Sequence, residues 1–274
     1  MKLAFSTNAF KRISLEEAIA VIARTGYGGV EIMADVPHAW PPHMPDERVA
    51  SLVKTIADYR LCVSNINAFT LFALGDTYHP SWIEKDPHRR KMRIDHTLAC
   101  IRLAAKLGAR TMSLEPGGPL SDMNRPEALA IYEDGLRQVL PAARQAGVML
   151  LVEPEPGLLI QTSRQCVDFL QRIAHPNLKM NCDVGHFFCV DEDPAAVLRA
   201  QRQWIAHVHL EDIAPNRVHQ HLIPGHGAID FSALFTALGE IDYDGWVTVE
   251  LYPYETTAEQ AAREAFDYLH RFFS

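Results

Sequence analysis

Short apolar runs alternate along this chain with longer stretches in which apolar residues return every three or four positions. The runs are Leu3 to Phe5, Gly29 to Met33, Leu61 to Ile66, Arg110 to Leu114, Val148 to Val152, Leu178 to Cys182, Ala206 to Val208 and Trp246 to Val249. Near-continuous hydrophobicity over so few residues predicts strands buried on both faces, as in a parallel sheet. The longer stretches predict helices. Leu15, Ala18, Ile19, Ile22 and Ala23 follow helical spacing behind Ser14, and Glu17 completes a capping box with that serine. Gly26 and Gly28 stop this helix, and others are predicted over 46–59, 90–107, 126–146, 163–174, 194–204, 231–239 and 258–273. The segment 69–87 fits neither pattern and is rich in aromatics, Gly, Pro and His. A loop of that length is uncommon unless it is functional, so a lid or specificity loop is expected there. Eight β/α units in 274 residues, without a linker or composition break, predict an α/β protein: one (β/α)8 TIM barrel spanning 1–274. The competing doubly wound sheet would need a phosphate-binding glycine fingerprint that is missing.

Four of the runs end in a group able to hold a cation. Val152 is followed by Glu153, Cys182 by Asp183, Val208 by His209 and Val249 by Glu250, at separations of 30, 26 and 41 residues. Each gap suits one helical crossover. In a barrel, charged residues at the carboxyl ends of strands read as catalytic. Taken singly, each would pass for a helix cap or a rim ion pair; four on four successive strands make a hard, oxygen-rich metal site. Three carboxylates and an imidazole suit one divalent ion, Mn²⁺ first, with Mg²⁺, Co²⁺ and Zn²⁺ also admitted.

Composition narrows the picture. Lys plus Arg number 26 against 34 Asp plus Glu, a formal net charge of −8, which gives no electrostatic footprint for a nucleic-acid backbone. The basic cluster His88-Arg89-Arg90-Lys91 reads as a solvated helix start. Five dispersed cysteines without a Cys-x-x-Cys pair point to a reducing cytoplasm rather than to disulfides or a thiolate zinc site. No run reaches the roughly 18 apolar residues needed to cross a membrane, and the amino terminus has no signal-peptide core. A cytoplasmic protein with neither a membrane nor a nucleic-acid partner is expected.

Val152-Glu153-Pro154, Asp183-Val-Gly-His186, His207-Val-His209-Leu-Glu-Asp212, Pro224-Gly225-His-Gly227-Ala-Ile-Asp230 and Val249-Glu250-Leu251 together resemble the xylose-isomerase-like TIM-barrel superfamily. This group comprises the sugar phosphate isomerases/epimerases and is also called AP endonuclease family 2. The resemblance covers the whole chain. It implies that Glu153, Asp183, His209 and Glu250 bind one divalent ion, that both glutamates double as acid and base, and that His186 binds substrate oxygen.

Some positions depart from the branches of that superfamily. Where the DNA-repair branch carries further histidine ligands, this chain has Asn67, or its neighbour Asn65, and Glu115. The Asp-x-His pair of that branch appears as His219-Gln220-His221, which points away from a trinuclear centre. Where tagatose-type 3-epimerases carry an arginine stands His221, with Arg217 nearby. Glu155 keeps the facing of Glu153 if the strand continues. With His186, the residues Asn67, Glu115, Glu155, Arg217, His219 and His221 are the candidate substrate contacts. His207 reads as a packed barrel histidine, and Trp40, Phe69, Phe72 and Trp82 as candidate pocket walls.

The expected function is a divalent-metal-dependent isomerase or epimerase of a small sugar, keto-sugar or cyclitol, acting through a metal-stabilised enediolate. The substrate would be a small polyhydroxy carbonyl compound. A metal-dependent lyase or dehydratase on a keto-sugar or cyclitol is the alternative. A phosphodiesterase of the DNA-repair type and a non-catalytic binding protein stand behind both. Loops over a barrel mouth leave homo-oligomerisation open.

Overall fold

Eight parallel strands close on themselves in chain order. The computed structural model describes residues 1–273. Its strands are β1 (Lys2–Ser6), β2 (Gly29–Met33), β3 (Cys62–Asn67), β4 (Thr111–Leu114), β5 (Met149–Val152), β6 (Leu178–Asp183), β7 (Ile205–Leu210) and β8 (Trp246–Val249). β8 seals the barrel beside β1, with Lys2 opposite Trp246 and Phe5 opposite Val249. The helices are α1 (Leu15–Thr25), α2 (Asp46–Asp58), α3 (Pro87–Leu107), α4 (Arg125–Ala146), α5 (Ser163–Ile173), α6 (Val184–Cys189), α7 (Pro194–Gln201), α8 (Phe231–Glu240) and α9 (Ala258–Leu269). Among the described residues no helix is long and apolar enough to cross a membrane.

Local chemistry explains the boundaries. The capping box at α1 forms: the Glu17 amide donates to Ser14 Oγ at 3.2 Å, and the Ser14 amide donates to the Glu17 carboxylate at 2.9 Å. Gly26 ends that helix with φ +114°, a conformation that only glycine adopts cheaply. α3 starts at Pro87, earlier than the apolar pattern suggested, because the Asp86 carboxylate caps the His88 amide at 2.9 Å. α7 stops at Gln201 because the chain turns there into β7, the Trp204 amide bonding the Gln201 carbonyl at 2.8 Å. The short α6 was not legible in the periodicity; it is nucleated by Asp183, which accepts from the His186 amide at 2.8 Å.

The hydrophobic core lies between strands and helices. Phe5, Val30, Ile32, Ile66, Met112, Leu150, Met180, Val208 and Val247 are all fully buried, each worth roughly 1.5–3 kcal/mol. The inside of the barrel is different. Barrel interiors are usually packed with branched aliphatic side chains, but here Glu31, Asn65, Ser113, Asn181, His207 and His209 are buried. Some of them bond one another: Asn65 Nδ2 donates to Glu31 Oε2 at 2.8 Å and to Ser113 Oγ at 3.0 Å, while Asn65 Oδ1, Asn181 Oδ1 and His207 Nε2 have no hydrogen-bond partner among the described residues. This polar column rises toward the carboxyl ends of the strands.

Candidate active site

At the mouth of the barrel the strand ends bring Glu153, Asp183, His209 and Glu250 together. One donor atom from each lies within 4.8 Å of the others, and all four residues are buried. Asp183 and His209 are direct partners in the β6–β7 register. The Nδ1 of His209 is at the centre: Glu153 Oε1 is 2.7 Å away, and Asp183 Oδ2 and Glu250 Oε2 are each at 3.9 Å.

Each ligand candidate is held from behind. His209 Nε2 is 2.6 Å from Glu31 Oε2 on β2. Burial would push Glu31 up, but His209, then His207 and Asn65, hold its carboxyl at about 2, so it is an ionised acceptor. Nε2 donates to it, and Nδ1 turns to the other carboxylates. Asp183 spends Oδ1 on the His186 amide and leaves Oδ2 without a hydrogen-bond partner, as Glu153 does its Oε2. Glu250 Oε1 accepts from Asn8 Nδ2 at 2.8 Å and Asn67 Nδ2 at 2.9 Å.

The electrostatics call for a cation. Burial lowers His209, yet Glu153, Glu31 and Glu250 hold it well above the ordinary imidazole range. Burial pushes Glu250 well above the ordinary carboxylate range, and Glu153, Glu31 and Asp183 add to that. Two orphaned carboxylate oxygens, three converging acids and a ring locked with one nitrogen inward form a donor set that a divalent ion fits.

Above this cluster opens a cavity of about 180 Å³, walled by Asn8, Asn67, Glu153, Glu155, His186 and Glu250 and roofed partly by loop residues Phe69, Phe72 and Tyr78. His186 Nδ1 bonds the Pro154 carbonyl at 2.9 Å. Burial would lower this ring, but Asp183, Glu155 and Glu153 raise it above its ordinary value. Tyr78 Oη donates to Glu155 Oε1 at 2.8 Å. Burial first, then Glu153 and Asp183, push Glu155 up against the pull of His186 and Tyr78, to about 7.

His219 also lines the cavity, and its Nε2 is 3.3 Å from that of His221. His221 sits behind the wall, with Nδ1 bonded to the Glu250 carbonyl at 2.8 Å. Burial lowers these rings to about 3 for His219 and about 4 for His221. With His186 they form a second group of ring nitrogens within 4.8 Å of one another, in which the lowered rings of His219 and His221 are neutral and able to bond hydroxyl groups.

Two expected contacts lie elsewhere. Glu115 is buried below the loop, 3.3 Å from Arg93 Nη2, and lines no part of the cavity. Burial raises its carboxyl well above the ordinary range, with Arg93 opposing. Arg217 occupies a turn with φ +58° that sends its side chain back onto α6. There it covers the Phe188 ring at 4.1 Å and pairs with Asp191 at 3.2 Å. Nor do Trp40 and Trp82 wall the pocket. Trp40 stacks on His96 at 5.1 Å, and Trp82 packs on Tyr132 at 5.5 Å. His207 is buried in the barrel, as its position on the strand suggested.

Sequence reasoning missed Glu31, Asn8, Tyr78 and Glu211. Glu211 is fully buried beside Asp183; burial, then that neighbour's charge, push it well above the carboxylate range. A charged residue in the middle of Gly29–Met33 was the one available signal for Glu31.

A family model described as xylose isomerase-like TIM barrel matches residues 19–272. An inosose dehydratase of Clostridium botulinum is 29% identical over 260 residues, which cover 88% of this chain and 83% of that protein. The hydroxypyruvate isomerase of Escherichia coli is 26% identical over 182 residues, 65% of this chain and 68% of that one. The solved structure of the IOLI protein with a binding zinc atom superposes with a TM-score of 0.82 at 21% identity, covering 100% of both chains; that likeness is one of fold.

Proposed function

The chain belongs to the xylose isomerase-like TIM-barrel family, and from that premise we propose that it is a divalent-metal-dependent isomerase or epimerase of a small sugar, keto-sugar or cyclitol. The observation that carries this reading is the cluster of Glu153, Asp183, His209 and Glu250 at the floor of the cavity, with both glutamates lining it. These four residues would hold the ion. When bound, a divalent ion polarises a carbonyl and acidifies the adjacent C–H.

The chain's own groups do the rest. Glu153 lines the cavity and keeps an unpartnered Oε2, so it is assigned the carbon-bound proton. Glu250, at the end of β8 on the same cavity, returns a proton on the same or the neighbouring carbon. Asn8 and Asn67 fix the orientation of Glu250. His186 and His219 hold substrate hydroxyls, and Phe69 and Phe72 cover the apolar side of the cavity and exclude water.

A second reading, a dehydratase acting on a keto-sugar or cyclitol, is favoured by the Tyr78–Glu155 pair. A carboxyl near neutrality beside a phenol on the cavity wall can protonate a departing hydroxyl. The inosose dehydratase relative supports it.

Incubating the purified protein with ketoses and inososes in D₂O, with and without Mn²⁺, tests both readings. Isomerisation or epimerisation gives a product of unchanged mass apart from solvent deuterium at the exchanged carbon. Dehydration gives a product lighter by one water. If neither deuterium nor water loss appears in any substrate with metal bound, the proposed chemistry is wrong.

A further inference from the structure

The segment between β3 and α3 passes over the barrel mouth without regular secondary structure, and it contributes Phe69, Thr70, Phe72, Thr77 and Tyr78 to the cavity. A buried guanidinium helps to fix its path. Arg93, on the second turn of α3, is fully buried. Its Nη1 donates to the Phe69 carbonyl at 2.7 Å and its Nε to the Pro80 carbonyl at 2.8 Å. Both ends of the stretch 69–80 are therefore tied to one planar group. Nη2 faces Glu115 at 3.3 Å.

The remaining anchors agree with this. Asp35 is buried and accepts from Thr70 Oγ1 at 2.9 Å, the Phe72 amide at 2.5 Å and the Ala73 amide at 3.1 Å. Trp82, just past Pro80, is sunk against Tyr132 and Gly135, where an added Cβ would come within 2.9 Å of the indole. The stretch 74–79 is folded by its own turn bonds, Asp76 Oδ1 accepting from the Tyr78 and His79 amides at 2.9 and 2.7 Å and His79 Nδ1 meeting Glu84 Oε1 at 2.7 Å, and Tyr78 lies in it. Tyr78 meets the cavity wall through its bond to Glu155 and packs edge-on against Phe69 at 6.4 Å. A turn tied at both ends carries its central side chain to a place set by those ends.

We propose that Arg93 is a positioning residue for the reaction: by tying the Phe69 and Pro80 carbonyls to one guanidinium, it sets Tyr78 against Glu155 and so fixes the wall that holds the substrate. This rests on reading the cavity as the substrate site. Lysine cannot replace arginine here, because an ammonium offers a point charge where two carbonyls require donors in a fixed fork. Arg93→Lys keeps a cation beside Glu115 and gives up one of the two ties.

The test uses the full-length protein with metal bound. Amide hydrogen exchange in Arg93→Lys should rise about tenfold over 69–80, the scale of one charged hydrogen bond, with the eight strands unchanged. KM should rise while kcat moves less. In a Tyr78→Phe background, Arg93→Lys should add nothing further, since both act through the same contact. If Arg93→Lys does not fold, Arg93→Gln with Glu115→Gln removes both charges and is read in the same way. Unchanged exchange over 69–80, exchange that rises with KM unmoved, or kinetic losses that add independently to those of Tyr78→Phe would each overturn the proposal. Absence of turnover in the wild type would instead count against the proposed chemistry, and the exchange measurement would still decide whether Arg93 is the clamp.

Discussion

His209 Nε2 and Glu31 Oε2 stand 2.6 Å apart across the inside of the barrel, between β7 and β2. The contact fixes the rotation of the ring and leaves Nδ1 facing Glu153, Asp183 and Glu250. A carboxylate behind a ligating histidine raises its basicity as well as orienting it, and such partners are typically worth 10–100-fold in metal affinity. Glu31→Gln keeps the shape and an acceptor for the Nε2 proton but removes the charge. Binding of Mn²⁺, followed by calorimetric titration, should weaken by about that factor with the far-ultraviolet circular dichroism unchanged. Affinity equal to wild type would mean that the ring is oriented by its other contacts, Glu153 Oε1 at 2.7 Å and Asn181 Nδ2 at 3.0 Å from Nδ1.

Gly185 connects the metal cluster to the backbone. A Cβ built there would come 1.8 Å from Glu211 Oε1 and 2.9 Å from Ile213 Cγ1. The glycine follows the strand end that carries Asp183, in the first turn of α6, so an added methyl has to displace either Glu211 or that turn. Overpacking of this kind typically costs about 1–3 kcal/mol. Gly185→Ala should therefore lower Tm by several degrees and reduce metal content in elemental analysis. A variant as stable and as metal-loaded as wild type would show that Glu211 has room to move.

Why some of this was legible in the sequence and some was not follows from the distance over which each feature is determined. A buried strand announces itself in four to six consecutive residues, and a charged group at its end needs no partner to be noticed. Glu153, Asp183, His209 and Glu250 could be picked out in this way. Glu31 could not: its partner His209 lies on the far side of the barrel, and no local pattern marks a mid-strand glutamate as part of a polar column. The loop divides in the same manner. Tyr78 and Trp82 are both aromatic and four residues apart, yet one faces the cavity and the other is buried in the helix layer, because Arg93 on a different element sets the path. Arg217 stands close in sequence to the histidines of the site, but a left-handed turn points it away.

Glu153 and Glu250 are the pair on which the proposed chemistry depends. They end β5 and β8, and both line the cavity beside the same imidazole. Glu153→Gln and Glu250→Gln preserve shape and one ligand oxygen while removing the base. Each should lose at least about 10²-fold in kcat, the usual scale of general acid–base catalysis. Solvent deuterium exchange should survive in one variant and not in the other, because only one of the two groups removes the first proton. Normal turnover in both variants with metal bound would rule out the paired-glutamate mechanism.

Away from the site, His96 makes stability depend on pH. Its ring is buried against Trp40, and burial, with Arg93 adding, lowers its pKa from 6.5 to about 3. The unfolded chain therefore binds a proton between those values that the folded chain refuses. Stability rises with pH across that window, so what is present at neutrality is lost as pH falls from 6.5 toward 3. At 1.36 kcal/mol per pH unit, the loss from this one group between pH 6.5 and pH 5 is roughly 2 kcal/mol. Phenylalanine keeps the stack on Trp40 and has no proton to bind. Urea unfolding of His96→Phe at the two pH values should show a fall in stability smaller than that of wild type by about this amount. Other buried histidines, His207 among them, contribute equally to both proteins and cancel in the difference. Parallel stability curves for the two proteins would mean that His96 takes up its proton in the folded state.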